Sequence, residues 1–520
     1  MEPVIKSQTD SKKRDILKEV GKIAIVIIAG LLISYFVRQP YLMFCGISPD
    51  SVLEMNIADN INNGSGAVLS IKTTYENDLP AIHKAFGEKG IVYPAALSYF
   101  IKKGWDLQWL NIILSFLCAL ILFFAVKNIL DERTAWFSYI LILFMPKLNL
   151  AASHVWNYTT ILLFVVLVFL IFSIKNRFIA FPLAGLAAGS IIWADPWGIF
   201  LPLAFLPGVL FSSRNVKESL TNTLMFVFTG ALAMAPPLFM LKSIQGHYLP
   251  SAILPYFQVQ EYSSFLWNSY GFKFPGLSNF VFINKTLVKS RIAENLKIYS
   301  SFIASRQGLY LILPGVIPIL FTLKSAYREF PARWMPALSF SLLSFAGSCI
   351  LWSDRDFVKL PVYVFIGIIP AIIHLLSKIE IRKFPAGLMT ASLLVLLTLN
   401  VYLTANIYMN RQIIESHNLR TLRQTKDQYS GWITAQGAKD SIYAASNPWI
   451  IYLQCKVPCG LMPSNINKDN IQEFQQKFGY NYFIANDQGE NSAKMNDLLG
   501  NSDIDWIVEL IPGLWRVQKL

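Results

Sequence analysis

The stretch GISPDSVLEMNIADNINNGSG, residues 46–66, interrupts a strongly apolar sequence soon after its first hydrophobic segment. Ser48 is a favourable N-cap, Pro49 suits the first helical position and Gly64 suits the end, so the stretch predicts a short helix. Asp50 then lies in the first turn, where its charge interacts favourably with the helix dipole. Two interpretations follow: Asp50 stabilises the helix, or it is a catalytic carboxylate held at a membrane surface.

The pattern of apolar residues gives this helix two different faces. Leu53 and Ile57 share one face, whereas Glu54 and Asp59 point elsewhere. We therefore expect an amphipathic helix at the outer membrane interface, with Glu54 and Asp59 on its solvated side.

The whole chain has the composition of a membrane protein. Of its 520 residues, 54% are hydrophobic and 15% are charged, whereas soluble domains carry about 25% charged residues. The net charge of +13 comes mostly from short Lys and Arg clusters between apolar segments, which is typical of orientation signals. Because the chain has neither zinc-finger spacing nor a basic helix with interleaved aromatic residues, we expect no nucleic-acid partner.

Long apolar segments recur along the chain. About eleven of them can approach or cross a hydrocarbon core of about 30 Å, and they lie at 20–37, 108–127, 134–150, 158–174, 178–195, 198–212, 221–241, 306–323, 334–352, 359–376 and 385–408. With the N-terminus in the cytoplasm, inside pieces such as KNILDER and SKIEIRK carry Lys or Arg, and the outside turns SHVWN and DPW carry none. We therefore predict a mainly α, polytopic integral membrane protein whose C-terminus lies outside the cytoplasm.

The regions between the spans suggest two domains. We divide the chain into a membrane domain, 1–408, with outside loops 38–107 and 242–305, and an extracytoplasmic domain, 409–520. In the second domain DSIYAAS, NYFIAND, DWIVELI and LWRVQKL are predicted strands, and NKDNIQEFQQKFG is a predicted amphipathic helix. This alternation indicates a small α/β domain.

Cys455 and Cys459, in CKVPC, fall in this C-terminal domain. An oxidising compartment favours a disulfide between them, but so short a loop is geometrically demanding. Both the disulfide and two free thiols stay open from the sequence.

Six stretches, one of them within the opening stretch, occur in a recognisable order. They are PDSVLEMNIADNINNGSG, KGIVYPAALSYFIKK, LFMPKLNLAASHVWNYTTILLF, LAGLAAGSIIWADPWGIFLP and DRDFVKLPVYVFIGIIPAI, and ASNPWIIYLQCKVPCGLMPSN lies in the terminal domain. The arrangement resembles the GT-C superfamily of glycosyltransferases that depend on polyprenyl-phosphate sugars. It is most similar to the bacterial integral-membrane branch akin to protein O-mannosyltransferases and to the aminoarabinose transferase acting on lipid A.

The resemblance implies an activity and its central residues. Members transfer a sugar from a lipid phosphate to an acceptor hydroxyl, and an acidic residue in the first outside loop acts in catalysis. This chemistry needs a carboxylate near the acceptor proton and cations near the leaving phosphate. The matching residues imply Asp50 as the general base and Arg355 as the phosphate clamp, although Arg355 also has the simpler alternative of an ion pair within DRD.

The resemblance also implies partners and a location. The donor is a polyprenyl-phosphate-linked sugar, and the acceptor is a glycan, a lipid or a protein. The chain would then be a multi-pass protein of the bacterial inner membrane, in contact with membrane lipid, that acts on the extracytoplasmic face. No cofactor is expected, and DRD alone is too weak a pattern to predict a divalent metal.

Several other side chains are candidates for binding the donor phosphate or the substrate. They are Lys89, Lys359, His83, Glu88, His154 and Asn157. Each has the alternative role of a solvated or structural residue. Asn157 stands where many relatives carry a carboxylate, and its amide can hydrogen-bond a sugar hydroxyl but cannot act as a base. Asp195 stands where relatives carry a basic residue, and it is either a functional acid at a membrane boundary or a helix-end residue.

Two functions from other classes stay open. A transporter or flippase for a lipid-linked solute would carry intramembrane charges and paired broken helices, whereas the spans here hold few charges and show no paired halves. A catalytically silent relative that scaffolds an envelope complex would explain the amide at Asn157.

Overall fold

The structure is a computed structural model. It describes residues 20–32, 34–35, 49–73, 79–145, 148–149, 152, 154–213, 215–250, 289–290, 292–297, 331–351, 363, 366–375, 428–436, 441–463, 465–485, 492–500, 504 and 506–518. The predicted spans 306–323 and 385–408 lie outside these described residues, as do Arg355 and Lys359. Most of the described residues are helical, and a small sheet lies in the C-terminal part.

The described part of the predicted membrane domain is mostly helical. Its helices are α1 (Val20–Leu32), α2 (Pro49–Asn62), α3 (Val92–Lys102), α4 (Gln108–Ile129), α5 (Glu132–Leu143), and then Tyr158–Phe172, Arg177–Gly189, Leu201–Leu210, Val216–Gln245, Met335–Leu351 and Ile366–Leu375. Short 3₁₀ turns at Ser190–Trp193, Pro196–Ile199 and Ala332–Trp334 connect or precede some of them. The positions agree with the predicted apolar segments wherever these segments are described.

Local sequence signals set several helix ends. The Asp131 carboxylate accepts a hydrogen bond from the Thr134 N–H at 2.7 Å and caps α5. Asn215 caps Val216–Gln245 in the same way, and Gly246 ends that helix in the left-handed region at φ 80°. Such residues satisfy backbone groups that a helix end leaves without intrahelical partners.

The helices enclose one large apolar core. Phe169 is buried in this core, and its ring contacts the rings of Phe205, Trp334 and Phe340. Among the described helices, Gln108–Ile129 and Val216–Gln245 are long and apolar enough to cross a membrane, and several others are apolar but shorter. The total of about eleven spans stays a prediction, because it also depends on segments outside the described residues.

The C-terminal part contains the predicted α/β structure. Its strands are β4 (Tyr443–Ala445), β5 (Cys459–Leu461), β6 (Tyr482–Ile484), β7 (Ile507–Ile511) and β8 (Leu514–Val517), and its helices are Gln428–Gln436, Pro448–Cys455, Ile471–Phe478 and Ser492–Leu499. The helix Pro448–Cys455 connects the parallel strands β4 and β5, and Ile471–Phe478 lies between β5 and β6. Parallel neighbours require such crossover connections.

One strand of this sheet comes from the first loop, 38–107. The sheet has the order β2-β5-β4-β6-β8-β7, and β2 (Ile71–Lys72) pairs in parallel with β5. The same loop also forms a small antiparallel pair between β1 (Val68–Leu69) and β3 (His83–Lys84). The loop and the C-terminal segment are therefore held together by backbone hydrogen bonds.

The helix α2 is buried, and this corrects the prediction of an amphipathic helix with a solvated side. Residues Ser51 to Ala58 are all buried, and Glu54 is only 1% exposed. The side chain of Asp59 is bonded to Tyr452 and Lys456 in the C-terminal part. The prediction was wrong because α2 packs between α3 and the helix Pro448–Cys455, and the second of these partners is distant in sequence.

The cysteine pair of the C-terminal part is not joined by a disulfide. Cys455 and Cys459 are both buried and unbonded to each other. The Cys459 thiol donates a hydrogen bond to the carbonyl oxygen of Pro448 at 3.1 Å. Burial, followed by the nearby Cys455, raises the pKa of Cys459 well above its ordinary value, so this thiol is unreactive toward oxidation at neutral pH.

Candidate active site

Asp50 lies at the first turn of α2, as the sequence predicted. Polar side chains fix this helix from inside, because Asn56 donates to the Ser70 hydroxyl at 2.6 Å and accepts from the Ser70 N–H at 2.8 Å. The carboxylate of Asp50 is 47% exposed, in contrast to the buried residues that follow it. A rigid helix therefore presents one accessible carboxylate at its start.

Lys89 forms an ion pair with Asp50, and its ammonium donates a hydrogen bond to Asp50 Oδ1. The backbone around Lys89 is a tight turn in which the N–H groups of Glu88 and Lys89 both bond to the Ala85 carbonyl. Gly87 permits this turn, since its φ is 113°. The turn places the Lys89 side chain next to the start of α2.

The same turn packs against the segment that contains Asp195. The Ile91 N–H donates to the Trp193 carbonyl at 2.9 Å. A Cβ at Gly90 would collide with the carbonyl of Ala194, so only glycine allows the two backbones to approach this closely. Loops that are about a hundred residues apart in sequence therefore meet at Lys89.

Lys89 is the centre of a charged cluster. Its side chain is 16% exposed. Burial lowers the pKa of Lys89, but the charges of Asp50 and Glu54, the hydrogen bond to Asp50 and the charge of Asp195 outweigh burial and raise the pKa above its ordinary value. Lys89 is thus a permanent cation at physiological pH, with three acidic side chains around it.

Glu88 and His83 form a second pair beside this cluster. His83 Nε2 lies 2.9 Å from Glu88 Oε1, and His83 Nδ1 lies 3.1 Å from the Pro80 carbonyl oxygen. Burial raises the pKa of Glu88, but His83, Lys72 and Lys89 outweigh burial and lower the pKa below its ordinary value. Glu88 is therefore an ionised carboxylate, and the predicted candidates His83, Glu88 and Lys89 share one small region.

Asn157 joins the cluster from the other side. Its amide nitrogen donates to Asp195 Oδ2 at 2.6 Å and to the Ala194 carbonyl at 3.2 Å. The residue is only 8% exposed. Asn157 therefore orients the Asp195 carboxylate.

Of the remaining candidates, only His154 lies within the described residues. His154 stacks on Trp156 with ring centroids 4.5 Å apart, and its backbone carbonyl accepts a hydrogen bond from Asn111. Tyr363, four residues after Lys359, stacks on Tyr158 with ring centroids 5.0 Å apart.

Two acidic residues belong to the cluster although the sequence did not mark them as site residues. Glu54 follows Asp50 by one helical turn, so the i, i+4 spacing could have placed both on one face. Asp195 was recognised only as an ambiguous acid, because its partner Asn157 lies 38 residues earlier. In the part of the chain that the structure describes, no group of three or more His, Cys, Asp or Glu side chains is arranged to hold a metal ion.

These features define a class of fold. It is a helical bundle in which a helix with an acidic first turn, α2, packs against a C-terminal α/β part. No protein-family model and no curated protein matches the chain by sequence. Solved structures do match its fold, and the chain has the GT-C fold that the resemblance implied.

Three solved structures illustrate this fold. The oligosaccharyltransferase AglB from Archaeoglobus fulgidus, in complex with an inhibitory peptide and a dolichol-phosphate, is 12% identical with a TM-score of 0.54, over 92% of this chain and 71% of that chain. ArnT from Cupriavidus metallidurans, bound to undecaprenyl phosphate, is 13% identical with a TM-score of 0.53, over 86% of both chains. The Archaeoglobus fulgidus enzyme in complex with Zn and sulfate is 14% identical with a TM-score of 0.52, over 93% of this chain and 71% of that chain.

Proposed function

We propose that the chain is a membrane glycosyltransferase that moves a sugar from a polyprenyl-phosphate donor to an acceptor hydroxyl. The observation that carries this proposal is the pair of Asp50 and Lys89 at the start of α2. The pair combines an accessible carboxylate with a permanent cation, which are the two groups that sugar transfer from a phosphate requires.

The fold supports the class of donor. ArnT was solved with undecaprenyl phosphate and AglB with a dolichol-phosphate, so two proteins of this fold bind a polyprenyl phosphate. AglB was also solved with a peptide. For this chain we keep a glycan, a lipid and a protein as acceptor classes, with the extracytoplasmic face of the bacterial inner membrane as the place of reaction.

The proposed reaction has one proton transfer and one exchange of bonds. Asp50 takes the proton of the acceptor hydroxyl as that oxygen forms a bond to the anomeric carbon of the sugar. The bond between the anomeric carbon and the phosphate oxygen breaks, and its electron pair leaves with the lipid phosphate. Lys89 and Arg355 offset the charge that develops on the phosphate.

The other candidates have supporting roles in this proposal. His83 and Glu88 fix the turn that carries Lys89, and Asn157 fixes Asp195. Lys359 adds positive charge for the donor phosphate, and His154 lines the sugar site. No step requires a metal ion.

The proposed topology follows from the apolar segments. We place residues 1–408 in a polytopic membrane domain and 409–520 in an extracytoplasmic domain. The parallel pairing of β2 with β5 supports placing loop 38–107 on the same side as the C-terminal part.

The test is a transfer assay with the purified full-length chain, radiolabelled polyprenyl-phosphate sugars and candidate acceptors. Asp50→Asn keeps the size of the side chain and removes the base, so we expect transfer to fall by about 10²–10⁴-fold. Asp106→Asn is the matched control, because Asp106 is an exposed acid outside the site. Wild-type transfer by Asp50→Asn would refute the assigned base.

The same preparation separates the other functions. Substrate counterflow in proteoliposomes without a covalent product would support the transporter. A stable co-purifying partner, combined with failure of every lipid donor, would support the silent scaffold.

A further inference from the structure

The turn that contains Asp195 is built into the candidate site through backbone contacts. The Ile91 N–H bonds to the Trp193 carbonyl at 2.9 Å, and Gly90 packs directly on the backbone of Ala194 and Asp195. These contacts are made by the chain neighbours of the two charged residues, because Gly90 follows Lys89 and Ala194 precedes Asp195. The position of Asp195 relative to Lys89 is therefore fixed by the fold.

The side chain of Asp195 is also fixed. Asn157 uses its amide nitrogen for Asp195 Oδ2 at 2.6 Å and for the Ala194 carbonyl at 3.2 Å. A side-chain amide has two N–H donors, and Asn157 directs both of them at the turn formed by Ala194 and Asp195. This buried arrangement holds the carboxylate in a single orientation.

The Lys89 ammonium has enough N–H donors to bond to a second carboxylate. An ammonium group carries three N–H donors, and one of them bonds to Asp50. The charge of Glu54 acts on Lys89 from the same helix as Asp50, and the smaller effect of Asp195 comes from the opposite loop. Two donors of Lys89 can thus serve the carboxylates of Asp50 and Asp195 while the third serves a phosphate oxygen.

We infer that Asp195, oriented by Asn157, is a positioning residue for Lys89: it holds the ammonium in the site when Asp50 is engaged with the acceptor. This inference rests on the proposed transferase function. Asp50 has two tasks in that function, because the carboxylate that pairs with Lys89 must also take the acceptor proton. Asp195 resolves this conflict, since it keeps Lys89 beside the donor phosphate while Asp50 is occupied.

The first test separates the two carboxylates by kinetics. We expect Asp195→Asn to raise the KM for the polyprenyl-phosphate sugar by roughly tenfold, because the ammonium of Lys89 loses one nearby opposite charge, with little change in kcat. Asp50→Asn should instead lower kcat. Asp106→Asn should leave both constants unchanged. An Asp195→Asn enzyme with the wild-type KM would overturn the inference.

The second test moves the carboxylate across its hydrogen bond. The double variant Asn157→Asp/Asp195→Asn keeps one acid and one amide in contact but exchanges their positions. If the charge near Lys89 is what matters, the double variant recovers most of the donor affinity that Asp195→Asn lost. If Asp195→Asn and the double variant have the same raised KM, a positioning role that acts through charge is refuted.

A third measurement does not depend on transfer. A double-mutant cycle with Lys89→Met and Asp195→Asn is read from the Tm of the purified full-length chain. A double variant that loses less than the sum of the two single losses supports the pairing, and strictly additive losses overturn it. If the wild type transfers no sugar from any donor, the proposed function fails, and this cycle still decides whether Asp195 holds Lys89.

Discussion

The end of α2 opposite the candidate site provides the most direct stability test. Asp59 Oδ2 accepts hydrogen bonds from the Tyr452 hydroxyl and from the Lys456 ammonium, each at 2.6 Å. Tyr452 is buried, whereas the Lys456 side chain is 43% exposed. We predict that Asp59→Ala separates α2 from the C-terminal part.

The two bonds differ in the free energy that they contribute. The Tyr452 bond is buried and involves a charged acceptor, which is worth about 1.5–3 kcal/mol. The Lys456 pair is solvent-exposed and screened, so it adds only about 0.2–1 kcal/mol. Asp59→Ala should therefore destabilise the contact by about 2–4 kcal/mol. Asp59→Asn should cost less, because its amide oxygen can still accept from Tyr452.

The assay is a urea titration of the full-length chain, read by proteolytic cleavage of the C-terminal segment. Cleavage reports the population of the opened state when opening and closing are fast. A double-mutant cycle with Asp59→Ala and Tyr452→Phe isolates the buried bond, and we expect a coupling free energy of about 1–3 kcal/mol. Lys456→Gln is the matched control and should cost no more than about 1 kcal/mol.

Two results would contradict this reasoning. The first is additive behaviour of Asp59→Ala and Tyr452→Phe, which would show that their bond is not formed in solution. The second is a Lys456→Gln variant as unstable as Asp59→Ala, which would assign the stability to the exposed ion pair. The first result would remove this bond as an anchor of the helix that carries Asp50, whereas the second would transfer that role from Tyr452 to Lys456, also in the C-terminal part.

Three further predictions concern single residues. Lys89→Met should lower kcat/KM for transfer by about 10²–10³-fold, because it removes the cation for the leaving phosphate; Lys89→Arg, which keeps the charge, should retain more activity. Burial raises the pKa of Asp131, but hydrogen bonding, above all with His374 at 2.7 Å, lowers the pKa to about 2 from its ordinary 3.8. The ionised carboxylate thus stabilises the fold above about pH 4, and this contribution of about 1 kcal/mol after screening by solvent is lost as the pH falls toward 2. In Asp131→Asn, the Tm should therefore decrease less between pH 4 and pH 2 than in the wild type. Gly90→Ala should force the turn away from Ala194 and lower the Tm and the transfer rate together, since a buried overlap costs about 1–3 kcal/mol; a variant with wild-type Tm would refute the close approach.

Much of the local structure could be predicted because its signals are local. The strands β4, β6, β7 and β8 and the helix Ile471–Phe478, which ends at Gly479 in the left-handed region, follow from alternation, periodicity and a terminal glycine, whereas β5 was not predicted. The helix around Asp50 follows from Ser48 and Pro49 in the same way.

The environment of these elements could not be predicted, because it depends on distant partners. The two residues of β2 have no strand signature of their own, and they form a strand only by pairing with β5 near residue 460. Asp59 contacts a tyrosine 393 residues later. Periodicity within a helix shows which residues share a face, but it does not show what covers the other face, and for this reason Glu54 was wrongly predicted to be solvated.

The pair of Asn157 and Asp195 shows why a site of this kind must be judged as a set of side chains. Taken alone, the amide at Asn157 looks like the loss of a carboxylate, and the acid at Asp195 looks like an ambiguous helix end. The hydrogen bond of 2.6 Å joins them, and the backbone contacts at Gly90 bring the joined pair to Lys89. Asp195 places a carboxylate within hydrogen-bonding distance of Asn157, so the amide by itself does not argue for a silent scaffold.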